Sequence, residues 1–269
     1  MNNIVNIGIL FRNNQDMIAP FFFFLRRSIQ EEFWKYVIEG DSLIPCFSLT
    51  GNLGEIPKGE EKVKSAPKDK VISVRPRIIA INNGSEDKTE DEIKKYLSDI
   101  DILYSSKENV GIAKGRNLII KVVKELSGSA YNDLFLLDSD VFISWRNSIE
   151  RMYNELINHR KENPGLIFGK THSFKSWDLK NSGFDFCLIN KKTFETIGEF
   201  DPEFWMFYDD PDFERRATTA GLKNIICDKA IAVHMWGGTV FWGSEGGKNR
   251  NLALEHDKLH YEKKWNKKI

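Results

Sequence analysis

Between Ile4 and Asp140, short apolar runs alternate with segments of helical period, and this alternation constrains the fold more than any other feature of the chain. Ile4 to Phe11 is rich in Ile and Val, is closed by Arg12-Asn13-Asn14-Gln15, and predicts a first buried strand. A helix is expected from about Asp16 to Phe33, a strand at Tyr36 to Ile38, and further strands at Arg77 to Ile81, Ile100 to Tyr104 and Leu134 to Leu137. Helices are expected between them, from Thr89 to Leu97 and from Ala113 to Leu126. Strands that alternate with helices predict an α/β fold, with a mostly parallel central sheet flanked by helices. Ligands of such sheets bind at the carboxyl ends of the strands, where the polar clusters Asn82-Asn83-Gly84-Ser85 and Asp138-Ser139-Asp140 fall.

The second half is less regular. A helix is expected from Ser148 to Lys161, strands at Leu166 to Gly169 and Phe184 to Ile189, and a helix from Asp212 to Ala220 stopped by Gly221. Gly237 to Gly247, rich in Gly and aromatics, reads as a loop over a site, and Asp41 to Pro76, rich in Gly, Pro and Lys, as an inserted, partly mobile loop.

Lys plus Arg and Asp plus Glu both number 39, so the net field gives no reason to expect polyanion binding as the main activity. Two local patches are basic: Lys58 to Arg77 holds seven basic and three acidic residues, and His256 to Ile269 holds five Lys. They read as solvated faces, with contact to DNA or to a glycan phosphate left open. Cys46, Cys187 and Cys227 are widely spaced, without a C-x-x-C pair, which fits a reduced intracellular compartment. The apolar run Met17 to Leu25 is too short to span a bilayer, for which about 20 residues are needed. A cytoplasmic protein without a transmembrane segment is therefore expected, Phe21 to Phe24 packing against the sheet rather than meeting a membrane.

Several clusters have the composition of a reaction site. Asp138 and Asp140 emerge from a buried strand two positions apart and can offer oxygens to one Mg²⁺ or Mn²⁺; the alternative is an Asp cap beside a solvated Asp. Glu108 to Asn117 supplies two glycines for close backbone approach to a ligand, with Lys114 and Arg116 nearby. Phe200 to Asp212 sets Asp209, Asp210 and Asp212 among aromatics, where a carboxyl raised in pKa would suit a general base, although the same residues can cap the following helix. His234 follows the apolar strand Ala230 to Val233 and is either structural or a ligand.

Taken in order, these segments resemble the GT-A type glycosyltransferases of the large inverting family two, from about Ile4 to Trp265 apart from the insertion. The resemblance implies one catalytic domain over residues 1–269, with a donor-binding half at about 1–141, an insertion at about 41–76 and an acceptor-binding half at about 142–269. It implies that Asn82 or Asn83 reads the nucleotide base, in a segment usually written Asp-Asp-Gly-Ser-x-Asp; Glu39-Gly40-Asp41-Ser42 is a competing match. Asn109, Lys114 and Arg116 then line the donor site, Asp138 and Asp140 bind the metal with help from His234, and Trp236 lies in the matching His-x-x-Gly-x-Ser/Thr segment. Asp209 and Asp210 stand where the family has Glu-Asp, which makes Asp210 the base.

The implied cofactors are Mn²⁺ or Mg²⁺ and a nucleoside-diphosphate sugar as donor, with UDP favoured; the implied acceptor is a carbohydrate or glycoconjugate hydroxyl. Trp205, Trp236 and Trp242 either stack on a sugar face or are buried in packing. A nucleotidyltransferase of sugar phosphates is the rival enzyme class, but it normally carries a Gly-rich loop after the first strand, and Phe11-Arg12-Asn13-Asn14 has no glycine. A non-catalytic carbohydrate-binding or scaffold role is the other rival.

Overall fold

The structure is a computed structural model that describes residues 3–29, 34–39, 42–46, 71–128, 130–144, 147–173, 176–235 and 246–266. In chain order its elements are β1 (Asn3–Phe11), α1 (Gln15–Ile29), β2 (Trp34–Glu39), β3 (Ser42–Cys46), β4 (Val71–Asn83), α2 (Thr89–Lys94), β5 (Ile102–Ser106), α3 (Ile112–Leu126) and β6 (Leu134–Asp138). There follow β7 (Val141–Ile143), α4 (Ser148–Asn158), β8 (Pro164–Ser173), β9 (Ser176–Asn181), β10 (Phe186–Ile189), α5 (Lys191–Ile197), α6 (Asp209–Thr219), β11 (Lys223–His234) and α7 (Gly246–Trp265).

One sheet of eleven strands runs through both halves, in the order β3-β2-β4-β1-β6-β10-β8-β11-β7, with β5 also on β4 and β9 also on β8. Its centre is parallel: β1 pairs in parallel with β4 and β6, and β5 continues the same direction on β4. β10 then runs antiparallel between β6 and β8, so the carboxylate-bearing end of β6 is followed by a reversal of strand direction.

Residue alternation on the central strands feeds two cores. On β1, Val5, Ile7, Ile9 and Phe11 face α1 and α4, whereas Leu10 faces α3 on the other side. On β6, Phe135 and Leu137 join the first core and Leu134 and Leu136 the second. A strand buried on both faces has no polar alternation, which is why the run reads as purely apolar. Gly8 keeps that second layer tight, since a Cβ there would stand 2.3 Å from Ile119 Cγ2.

Phe21 and Phe22 of α1 are fully buried, with rings 5.4 and 6.1 Å from that of Phe11. Each such burial stabilises by roughly 1.5–3 kcal/mol. Phe23 instead points outward and is 62% exposed. No helix among the described residues is long and apolar enough to cross a membrane. Cys187 and Cys227 are buried free thiols.

Several elements differ from the sequence expectation. Ser42–Cys46 pairs antiparallel with β2, and β4 starts at Val71, so the expected insertion narrows from both ends. Pro76 disguised the start of β4: it lies between the stretch paired with β2 (71–74) and the stretch paired with β5 (79–83). Phe184 and Asp185 belong to a 3₁₀ turn, Gly183–Asp185, rather than to β10. Gly246 and Gly247 begin a helix and not a loop.

That helix, α7, has no apolar stripe to reveal it. It docks through polar groups at helical spacing: Lys264 Nζ lies 2.6 Å from Asp201 and 2.8 Å from Asp212, and His260 Nε2 lies 3.1 Å from Asp201. Lys264 of the basic tail is therefore engaged in the fold. Burial alone would raise the Asp201 carboxyl, but Lys264 and His260 outweigh it and hold the pKa at about 2. A depressed carboxylate pKa stabilises the fold above its ordinary value near 3.8, and that contribution is lost as pH falls through about 2. Asp201→Asn is expected to cost on the order of 2 kcal/mol in urea unfolding at pH 6, with the gap to the parent closing between pH 4 and 2.

Candidate active site

The carboxyl ends of β1, β4 and β6 meet at a cleft of about 340 Å³. Its walls are supplied by Leu10 to Arg12, Asn83, Asn109, Gly111, Ile112, Arg116, Asp138 to Asp140, Trp205 to Phe207, His234 and Arg250.

The loops above β1 and β4 are laced together. Arg12 Nη1 donates to the carbonyls of Asn83 (3.2 Å) and Gly84 (2.7 Å), Asn13 N to Ser85 Oγ (3.0 Å) and Asn14 N to Thr89 Oγ1 (2.9 Å). Gly84 is required there, because its φ of 65° is left-handed and a Cβ would stand 2.3 Å from the Glu108 backbone.

Asn83 then joins β4 to the start of α3. Its Nδ2 donates to Asn109 Oδ1 (3.0 Å) and to the Gly111 carbonyl (3.2 Å), and its Oδ1 accepts from Val110 N (2.9 Å). Asn82, equally buried, is turned away: it bonds Glu90 Oε2 (3.2 Å) and Ser85 N (3.2 Å) and does not line the cleft. Glu39 and Ser42 of the competing match pair with each other across β2 and β3. β2 joins β4 at Val71–Val74, the opposite end from Asn83, and Asp41 lies outside the described residues.

Gly111 adopts φ 85°, and a Cβ on it would meet the Trp205 carbonyl at 2.6 Å. Ile112 N donates to that same carbonyl at 2.6 Å, which binds the α3 N-terminus to the acidic segment before α6.

Arg116, one turn into α3, is nearly buried and lies against the rings of Phe184 and Phe200. Its Nη1 stands 2.6 Å from Asp209 Oδ2 and its Nη2 3.6 Å from Asp138 Oδ1. Burial alone would lower its pKa; Asp209, Asp138, Asp210 and Asp185 outweigh burial and raise it. The charge of Arg116 is thus committed to protein carboxylates.

Asp138 is partly exposed on the cleft wall, and burial, reinforced by Asp185 and Asp140 against the pull of Arg116, pushes its carboxyl up to about 7. Asp140 is more enclosed, with His234 Nε2 at 3.3 Å from its Oδ1. His234 Nδ1 lies 2.9 Å from Asp185 Oδ2. Burial would lower the imidazole pKa, but the two flanking carboxylates hold the ring protonated, up to about 10. Asp210, beside Asp209 at the start of α6, is raised to about 7 by burial and then by the Asp209 charge.

The fold therefore brings Asn83, Asn109, Arg116, Asp138, Asp140 and His234 onto one wall, with Asp209 and Asp210 linked to it through Arg116. Lys114 is exposed and, like Asn82 and Asp210, does not line the cleft. Trp236, Trp242 and the expected loop as far as Glu245 lie outside the described residues.

Asp138, Asp140 and His234 are not gathered as a closed cage: among the described residues no group of three His, Cys, Asp or Glu side chains is placed to hold an ion by itself. The carboxylates turn instead to the nearest positive groups, Arg116 and His234. The donor types, carboxylate oxygens with one imidazole beside an open cleft, fit a hard divalent cation whose other positions come from water and phosphate oxygens.

Three further contributors belong to none of the sequence clusters. Arg12 stands at the polar end of a strand; Asp185 lies in an apolar run, where a lone Asp is the available signal; Arg250 stands on α7 between the expected loop, which ends at Gly247, and the basic tail from His256, its guanidinium 5.5 Å from the centre of the Phe207 ring.

A family model described as "Glycosyl transferase family 2" matches residues 69–213, more than half of the chain and the stretch holding Asn83, Arg116, Asp138, Asp140 and Asp210. No curated protein matches the chain significantly. Among solved structures, the mannosyltransferase PcManGT from Pyrobaculum calidifontis, in complex with GDP-Man and Mn²⁺, is similar with TM-score 0.59 and 12% identity, over 100% of this chain and 66% of that one. S. aureus TarS is similar with TM-score 0.56 and 13% identity, over 87% of this chain and 36% of that one. Glucosyl-3-phosphoglycerate synthase from Mycobacterium tuberculosis, in complex with Mn²⁺, UDP and glucosyl-3-phosphoglycerate, is similar with TM-score 0.53 and 9% identity, over 96% of this chain and 77% of that one. The chain thus spans about two thirds of the mannosyltransferase and about a third of TarS. With the family match lying over the cleft and the α/β sheet shared with these enzymes, the chain belongs to glycosyl transferase family 2 and has the GT-A fold.

Proposed function

We propose that this protein transfers a sugar from a nucleoside-diphosphate donor to an acceptor hydroxyl, by a single inverting displacement. The observation that carries this reading is Arg116, which lines the cleft with Asn83 and Asn109 and joins the strand-end carboxylate Asp138 to Asp209, the α6 carboxylate next to Asp210. Residues up to about 141 hold the donor in this reading, and residues from about 142 present the acceptor. UDP is the nucleotide we favour; of the similar structures, the mannosyltransferase holds GDP-Man and the glucosyl-3-phosphoglycerate synthase holds UDP, each with Mn²⁺.

Asn83 and Asn109 shape the base and ribose end, fixed by their mutual hydrogen bond at 3.0 Å. Asp140 and His234, with Asp138, would hold a divalent ion, which supplies charge neutralisation for the leaving diphosphate. Asp210 takes the proton of the acceptor hydroxyl as its oxygen attacks the anomeric carbon; the anomeric carbon–oxygen bond to the diphosphate breaks on the opposite face. The raised pKa of Asp210 makes it a competent proton acceptor near neutral pH, while Asp209 stays paired with Arg116 and holds the helix start in place.

Hydrolysis or transfer from a panel of UDP-, GDP- and dTDP-sugars with Mn²⁺ tests the reading. One nucleoside diphosphate is expected to be released, with the rate falling about 10²–10³-fold in Asp140→Ala and about 10²–10⁴-fold in Asp210→Asn. Pyrophosphate formation from a sugar phosphate and NTP would instead establish a nucleotidyltransferase, and neither turnover nor donor binding by calorimetry would leave a scaffold.

Because Asp210 must be ionised to act, kcat is expected to rise with pH through about 7, on a limb absent from the residual activity of Asp210→Asn. Metal binding reports on His234 separately. An imidazole held protonated to about 10 must release its proton to a metal, so Mn²⁺ affinity, read by paramagnetic resonance, is expected to rise up to about tenfold per pH unit between pH 6.5 and 9. That dependence should flatten in His234→Ala.

A further inference from the structure

The helix α7 takes no part in the chemistry proposed above, yet one of its faces holds the segment that leads into Asp209 and Asp210. Asp257, His260, Tyr261 and Lys264 recur three and four residues apart and so share a face. That face lies along residues 201–212. His260 and Lys264 bond Asp201 at one end, and Lys264 with Trp265 Nε1 (2.9 Å) bonds Asp212 at the other.

Between these anchors stands Asp257, fully buried. Its carboxylate accepts three consecutive backbone N–H groups, from Trp205 (3.0 Å), Met206 (2.7 Å) and Phe207 (2.8 Å). Successive N–H groups converging on one point form an anion-binding concavity, and here the anion is supplied by a helix 50 residues later in the chain. A buried carboxylate is costly unless its oxygens are satisfied, and these are satisfied by the three amides of the turn together with His256 Nδ1, 2.9 Å from Asp257 Oδ1.

The held residues are the ones the site depends on. The Trp205 carbonyl receives Ile112 N, Met206 and Phe207 form cleft wall, and Tyr208 follows in the left-handed region at φ 61° before Asp209 and Asp210. A non-glycine residue persists in that region only where its surroundings impose it.

We infer that Asp257 is a positioning residue for sugar transfer: by gripping the 205–207 amides it fixes the cleft-lining turn that leads into Asp209 and Asp210, without touching donor or acceptor. The inference rests on the glycosyl-transfer reading of the cleft. A residue that merely stabilised the fold would change the folded fraction and leave the kinetics of folded molecules intact. A positioning residue lowers kcat in fully folded enzyme while nucleotide affinity stays, because the Asn83–Asn109 hydrogen bond that shapes the base end does not run through Asp257.

The test compares the full-length protein with Asp257→Asn and Asp257→Ala at a temperature where circular dichroism shows all three folded. Amide hydrogen exchange at Trp205, Met206 and Phe207 is expected to accelerate at least about tenfold, with kcat reduced about 10- to 100-fold and UDP affinity in Mn²⁺ within about twofold of the parent. Unchanged exchange at these amides, or unchanged kcat with accelerated exchange, overturns the proposal. So does a kcat loss that tracks the folded fraction. If both variants fail to fold, Asp257→Glu keeps the charge and shifts it by one methylene; a folded Glu variant with accelerated exchange and parental kcat overturns the proposal. If the parent itself turns over no donor, the glycosyl-transfer reading fails together with the catalytic half of this inference, and exchange alone decides whether Asp257 holds the turn.

Discussion

The site is organised around the buried guanidinium of Arg116. It lies between Asp209 at 2.6 Å and Asp138 at 3.6 Å, and its planar fork is the group best suited to hold two carboxylates from different elements at fixed separation. Without that cation, Asp138, Asp209 and Asp210 would stand as neighbouring negative charges in a partly dehydrated cleft. Removing one partner from such an arrangement is more damaging than the pair is stabilising, because the remaining charge is left buried. Phe184 and Phe200, with ring centroids 5.7 and 5.5 Å from the guanidinium, enclose it and strengthen the attraction by keeping water away.

Around this pivot the charges fall into two groups. Arg116 serves Asp138 and Asp209, while His234 bridges Asp140 and Asp185. Asp210 has a raised pKa and feels Arg116 only as the weaker influence beside burial and the Asp209 charge, which separates its role from that of Asp209 although the two are adjacent in sequence. Environment rather than residue type distinguishes them: Asp209 is the more deeply buried and points at Arg116. The same division separates Asn82 from Asn83, one spent on Glu90 and the other on the α3 loop.

Much of the donor-side architecture was legible in the chain. β1, β6, α3 and the parallel centre followed from periodicity, because strands buried on both faces leave unbroken apolar runs and α3 carries Ile119, Ile120 and Val123 on one side. What stayed hidden has local causes. Pro76 and the charged residues around it masked the first half of β4. α7 presents Asp257, His260 and Lys264 to its partner on the same face as the buried Tyr261, so its apolar residues are too sparse to show a period. α5 is only seven residues long, too short to build a period.

The order of elements, the strand-end placement of Asp138 and Asp140, and the residue types offered to a donor are properties of the sequence itself, because they depend on interactions between residues a few positions apart. Which carboxylate meets Arg116, which asparagine faces the cleft, and where the turn at 205–207 sits were decided by tertiary structure. Those choices rest on contacts across 93 residues between Arg116 and Asp209 and across about 50 between Asp257 and the turn. Local propensity carries no information over such separations; the packing of α3, α6 and α7 against one face of the sheet supplies it.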